Sequence, residues 1–258
     1  MPDLSLVPFQ LKRPKLVSWE FICDKADILE CIRSKSLRSF LRQFDQVMAE
    51  NNLRYEHLEV DAQKFAAWLP FYQAQMQEKG YDQIASLEWF EKHRGMGEKI
   101  ESVFFYQKDQ LVGSAIILRK EQALFSVAFK ASLRLEVTKK KNGNLGSMVD
   151  FACLKIAVDQ KADRIFWGRS RNAFGVINTF GNLEYKIRFG LTPVIDPEVE
   201  IFDDCPYLEE SPLLFYANSP TGFGLYGFCP QPEMSIDINR FQISEIPYTP
   251  LLFGGRLL

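Results

Sequence analysis

Histidine is almost missing from this chain: His57 and His93 are the only two in 258 residues. Neither stands in a zinc-type spacing with cysteine, so the sequence offers no metal-ligand motif. The cysteines Cys23, Cys31, Cys153, Cys205 and Cys229 are odd in number, widely separated and without a CxxC pair. That pattern excludes a disulfide framework and fits reduced thiols in a cytoplasmic protein. No stretch approaches the roughly 18 apolar residues of a membrane-spanning helix. The N-terminal Met-Pro-Asp-Leu-Ser-Leu-Val-Pro lacks the basic flank and apolar core of a secretory leader. An excess of one charge is lacking too. With 31 Lys and Arg against 33 Asp and Glu, the net charge is −2, which excludes the general basic footprint of a nucleic-acid binder.

Aromatic side chains, by contrast, are plentiful, with 22 phenylalanines in a chain that is 47% apolar. Such a chain is long enough to bury a substantial core. The segment Leu16 to Cys23 reads as a strand. From Ser34 to Asn51 a helical period places Leu37, Phe40, Leu41, Phe44, Val47 and Met48 on one face. Arg54 to Val60 reads as a strand, and Asp61 caps a helix carrying Phe65, Trp68, Leu69, Tyr72 and Met76, closed by Gly80. Ser86 caps a shorter helix, Leu87 to Arg94. Three strands follow at Ser102 to Gln107, Leu111 to Arg119 and Ala123 to Lys130, the first two joined by a hairpin turn at Lys108-Asp109-Gln110.

A basic turn, Lys139-Lys-Lys-Asn-Gly-Asn-Leu-Gly146, then opens into a helix, Ser147 to Ala162, apolar on most of its circumference. Unpaired amides, the positive end of a helix dipole and three ammonium groups meet there, which outlines an anion site. Beyond it, Arg164 to Gly168 reads as a strand, Asn172 to Asn182 as a helix and Tyr185 to Leu191 as a further strand. In the last 60 residues frequent prolines, acidic groups and aromatic residues such as Phe215, Tyr216 and Phe228 suggest an ordered extension rather than a disordered tail.

This order, together with Ser34-Lys-Ser-Leu-Arg-Ser-Phe-Leu-Arg42, Phe166-Trp-Gly-Arg-Ser170 and Glu184-Tyr-Lys-Ile-Arg-Phe-Gly190, resembles the GNAT N-acyltransferase superfamily. The closer likeness is to its Fem-type branch, which includes peptidoglycan aminoacyltransferases. The resemblance spans about residues 34 to 195 and implies an α/β (α+β) fold with a central mixed sheet flanked by helices. The expected segments are an N-terminal extension at 1–33, the GNAT-like domain at 34–195 and a Pro-rich, aromatic extension at 196–258 packed on the domain.

Family logic implies that Lys139, Lys140, Lys141, Asn142, Gly143, Asn144, Gly146 and Ser147 hold the phosphates of an acyl-CoA or of phosphopantetheine on an acyl-carrier protein. The turn departs from the usual Arg/Gln-x-x-Gly-x-Gly/Ala spacing of the family. Tyr185 is the implied general acid for the leaving group, and Glu136 or Glu184 the available carboxylate base, with Asp150 a weaker choice. Trp167, Arg169, Ser170 and Asn172, at a strand end, are the residues expected to meet the acceptor, a small-molecule or peptide amine. His57 and His93 are expected to serve as structural hydrogen-bonding groups. Seven basic residues against two acidic ones between Arg119 and Lys141 suit a phosphate-bearing donor or an acidic carrier protein. An aminoacyl-tRNA donor and a non-catalytic binding module are the alternative readings.

Overall fold

The computed structural model describes residues 13–25, 27–120, 124–138, 143–162, 164–195, 199–200, 211–219, 222–229 and 235–251. In chain order the elements are β1 (Arg13–Pro14), β2 (Leu16–Phe21), α1 (Ile28–Cys31), α2 (Lys35–Leu41), α3 (Phe44–Glu50), β3 (Leu53–Glu59), α4 (Ala62–Lys79) and α5 (Leu87–Gly95). There follow β4 (Lys99–Gln107), β5 (Gln110–Lys120), β6 (Leu124–Ser132), α6 (Leu145–Asp159), β7 (Arg164–Arg171), α7 (Phe180–Phe189) and β8 (Thr192–Ile195). Last come β9 (Val199–Glu200), β10 (Leu213–Ser219), β11 (Gly222–Phe228) and β12 (Tyr248–Leu251). The chain divides into two compact units, Phe21–Gly168 and a second made of Met1–Glu20 with Arg169–Leu258. These cuts follow spatial contacts, whereas the expected bounds at 33 and 195 are those of the resemblance.

In the larger unit β3, β4, β5 and β6 form an antiparallel meander, and β7 joins β6 in parallel, giving a mixed sheet. Every central residue of β4 and β5 is buried, as expected of strands covered on both faces. Successive side chains alternate between faces. Phe104 therefore joins the cluster of Phe65, Trp68, Tyr72, Phe90 and Phe129 under α4 and α5. Phe105 points the other way and meets Phe44, itself 5.4 Å from Phe151 of α6. Pro70 lies inside α4 without ending it.

The smaller unit contains the antiparallel pair β2/β8, α7 and a three-stranded sheet in the order β10-β11-β12. Its centre is organised by Asn172, which is fully buried. The Asn172 amide donates to the Pro14 carbonyl at 2.9 Å and to the Tyr216 carbonyl at 2.7 Å, and its Oδ1 accepts from the Tyr216 amide at 2.8 Å. Trp19, Phe174 and Tyr216 meet edge to face around it.

Three expectations need correction. The helix from Ser34 to Asn51 is two helices, α2 and α3, parted at Arg42-Gln43. The helix expected at Asn172–Asn182 does not form, because Gly175 adopts φ +97° and Phe174 bridges to Leu214 and Asn178. The strand expected at Tyr185–Leu191 is instead α7. Thr179 caps it by accepting from the Asn182 amide at 3.1 Å, and Gly190 closes it in the left-handed conformation.

Asn172→Ala removes three buried side-chain bonds to backbone and leaves backbone groups unsatisfied. It is expected to destabilise the fold by about 2–4 kcal/mol, read as a lower midpoint in urea denaturation.

Candidate functional site

Asn144 is the N-cap of α6, its Oδ1 accepting from the Ser147 amide at 2.8 Å and from the Ser147 hydroxyl at 3.2 Å. The cap therefore already uses one of the amides that a phosphate would seek. Gly143 is buried, and a Cβ there would lie 2.1 Å from the Thr138 Cγ2 and 3.0 Å from the Phe40 ring, so only glycine fits. A Cβ on Gly146 would lie 3.4 Å from the Ser132 hydroxyl, which puts the first turn of α6 beside the end of β6. Lys139, Lys140, Lys141 and Asn142 lie outside the described residues.

Near that end of β6 stands a cationic group. Lys130 is ion-paired with Asp150, whose side chain is 0% exposed. Lys79 donates to the Ser132 carbonyl at 3.4 Å, and Arg134 lies 3.8 Å from Glu78. Burial, and then the nearby Lys130 charge, hold the Lys79 ammonium below its ordinary pKa. Burial and the neighbouring Asp150 push the Cys153 thiol well above its ordinary range, which leaves it a poor nucleophile. The Lys130–Asp150 pair was not singled out from sequence as a unit. A lysine between Phe129 and Ala131 on an alternating strand reads as a solvated face, and only the packing of α6 supplies its partner.

The pairing of β6 with β7 covers Leu124↔Arg164, Phe125↔Ile165 and Ser126↔Phe166. Strand β6 continues to Ser132. Among the described residues the two strands thus part after three pairs, and β6, still paired with β5, runs on towards the N-terminal turn of α6. Trp167 is buried, and Glu136 is exposed in the loop between β6 and α6. That loop is tied down where the Asn51 side chain donates to the Val137 carbonyl at 3.0 Å.

The remaining candidates belong to the smaller unit. Arg169 is exposed. Ser170 is buried and its hydroxyl accepts from the Trp19 indole at 3.2 Å. Asn172 makes the buried bonds described above. Tyr185 lies on α7 with its ring 5.6 Å from that of Phe189. Burial alone would raise the Glu184 pKa, but Arg240 and Arg188 outweigh it and hold the carboxyl below its ordinary range. That makes Glu184 a weak base.

A second charged constellation lies at the opposite end of the meander. Glu101 is buried and bonded to His57 at 2.8 Å and to Lys99 at 2.8 Å. Glu98 is bonded to His93 and, at 2.7 Å, to Lys120. Each histidine is thus held by a buried carboxylate. Burial disfavours the charged Glu101, yet the bonds from His57 and Lys99 prevail and lower its pKa from 4.5 to about 2.

Among solved structures the chain is similar to FemX, with a TM-score of 0.52 and 10% identity over 76% of this chain and 63% of that one. The fold is GNAT-like. Two weaker likenesses also occur. A conserved protein of unknown function from Bacteroides thetaiotaomicron VPI-5482 has a TM-score of 0.48 and 9% identity, over 71% of this chain and 58% of that one. A tandem GNAT protein from the clavulanic acid biosynthesis pathway has a TM-score of 0.43 and 10% identity, over 70% of this chain and 50% of that one. The chain therefore spans less than two thirds of the length of these proteins. No family model matches it, and no curated protein matches it significantly. Among the described residues, no helix is long and apolar enough to cross a membrane.

Because the Glu101 pKa is lowered on folding, its ion pairs contribute stability above pH 4.5 that is lost as pH falls towards about 2. Glu101→Gln is expected to flatten the decline in folding stability across that window, followed by urea unfolding at a series of pH values.

Proposed function

We propose that this GNAT-like chain is an N-acyltransferase that moves an acyl group from a thioester donor, acyl-CoA or acyl-phosphopantetheine, to an amine. The observation that carries this reading is the parting of β6 from β7 beside the first turn of α6. Where β7 no longer flanks it, the edge of β6 suits an extended amide-bearing arm, and Lys79, Lys130 and Arg134 suit the phosphates at its end. Lys139, Lys140 and Lys141 are assigned, from sequence, to the same phosphates.

The chemistry is an attack of the amine nitrogen on the thioester carbonyl carbon, followed by loss of the C–S bond. One proton leaves the amine and one reaches the departing thiolate. From sequence, Glu136 is assigned as acceptor of the first and Tyr185 as donor of the second. Trp167 and Arg169 are assigned to the acceptor substrate. Ser170 and Asn172 carry the same assignment, from sequence.

The Fem-type likeness favours a second donor, aminoacyl-tRNA, which presents the same carbonyl as an ester. Incubation with a panel of acyl thioesters and amines is expected to give amide product above the uncatalysed background, and no product at any chain length rejects the thioester reading. Loss of transfer on ribonuclease treatment, with charged tRNA as donor, would move the assignment to the second donor. Replacing Lys139, Lys140 and Lys141 together by glutamine is expected to raise the donor KM about tenfold or more with a smaller change in kcat. Tyr185→Phe is expected to lower kcat by about 10²-fold with little change in KM.

A further inference from the structure

The larger unit carries a cleft of about 300 Å³ lined by Gly97, Lys99, Glu101, Arg119 and Gln160. It lies at the far end of α6 from the basic turn. Leu145 and Val149, in the first turns of α6, pack over Gly113, whereas Gln160 is the C-cap of that 15-residue helix. At 1.5 Å per residue the two ends are about 22 Å apart. The cleft is therefore separate from the proposed donor site.

Its lining is unusual in two ways. Lys99 and Arg119 face each other across β4 and β5, and Glu101, two residues along, shares their side of the sheet. Lys99 is offset by Glu101 at 2.8 Å and Glu59 at 3.8 Å, and Glu59 is also bonded to Arg94 at 3.2 Å. Arg119 forms no ion pair among the described residues, although the Glu101 carboxylate lines the same cleft. The Arg119 Nε–H and the Gln160 Oε1 are both buried without a hydrogen-bond partner. A buried donor and a buried acceptor left unmade cost about 1–3 kcal/mol each, and a guest in the cleft towards which the two side chains turn recovers that cost. The partial negative charge at the C-terminal end of α6 opposes an anion here, but at about half an elementary charge it is smaller than that of Arg119.

From this arrangement we infer that the cleft binds a small oxyanion, carboxylate or phosphate, that carries a hydroxyl next to its charge. The oxyanion accepts from Arg119 Nε–H, with the Lys99 ammonium alongside, and the hydroxyl donates to Gln160 Oε1. Such a ligand is distinct in size and place from an acyl donor, so this site and the acyl-transfer reading stand or fall separately.

Titration of the isotopically labelled full chain with inorganic phosphate, L-lactate and acetate, followed by amide NMR, tests the inference. Saturable shifts at Gly97 and Gln160 are expected with phosphate or with lactate, and weaker binding with acetate, which has no hydroxyl. Saturation by phosphate alone or by lactate alone supports the site and identifies the source of the oxyanion. Arg119→Lys keeps the charge but removes the Nε donor, and is expected to weaken binding about tenfold or more. Gln160→Met is expected to abolish the preference for lactate over acetate while leaving the melting temperature near that of the parent. No saturable shift with phosphate or lactate up to tens of millimolar overturns the inference, as does binding that Arg119→Lys leaves unchanged.

Discussion

The larger unit depends on the close seating of α6 on the sheet. Gly113 of β5 makes it possible: a Cβ there would lie 3.0 Å from Val149 Cγ2 and 3.3 Å from Leu145 Cδ2. Eleven residues of α6 are buried as a result. A larger side chain at Gly113 would push the helix outward, and interiors packed at crystal-like density accommodate such displacement poorly. The same seating brings Asp150 against Lys130 and sets the first turn of the helix beside Ser132.

From that one contact the polar features of the unit arrange themselves at the two ends of α6. At the N-terminal end stand the capped turn, the parted strands and the group of Lys79, Lys130 and Arg134. At the C-terminal end stand Arg119, Lys99 and Gln160 around the cleft, next to carboxylates that are buried but paired. Burying a charge without a partner is costly, and the buried carboxylates Asp150, Glu98 and Glu101 meet the cost with short ion pairs. The smaller unit uses another device for the same end, the three backbone bonds of Asn172 among edge-to-face aromatic rings.

Much of this was legible in the chain. The meander strands, the Asp61 and Ser86 caps, and the apolar circumference of the helix after the basic turn are local signals, and local geometry obeys them. The misread stretch, residues 172 to 191, shows why the rest was not. Phe174, Val176 and Ile177 mimic a helical face, but a left-handed Gly175 packed against the Pro212 carbonyl makes a turn that only a distant strand explains. Thr179 and Gly190, a capping residue and a glycine stop, mark the helix that forms. In the candidate site, the turn before the helix was read from sequence, but Asn144 as its cap was not, and the partners of Lys130 and Glu101 lie 20 and 44 residues away.

The sequence by itself determined the order of strands and helices, the basic turn before the central helix and the scarcity of metal-ligating groups, because caps, turns and apolar periods act over a few residues. Tertiary structure alone decided which charges face each other, where β6 leaves β7, and that Arg119 and Gln160, each with an unmet hydrogen-bonding group, line one cleft. Those outcomes depend on strand register and helix seating, and both are set by packing among residues far apart in the chain.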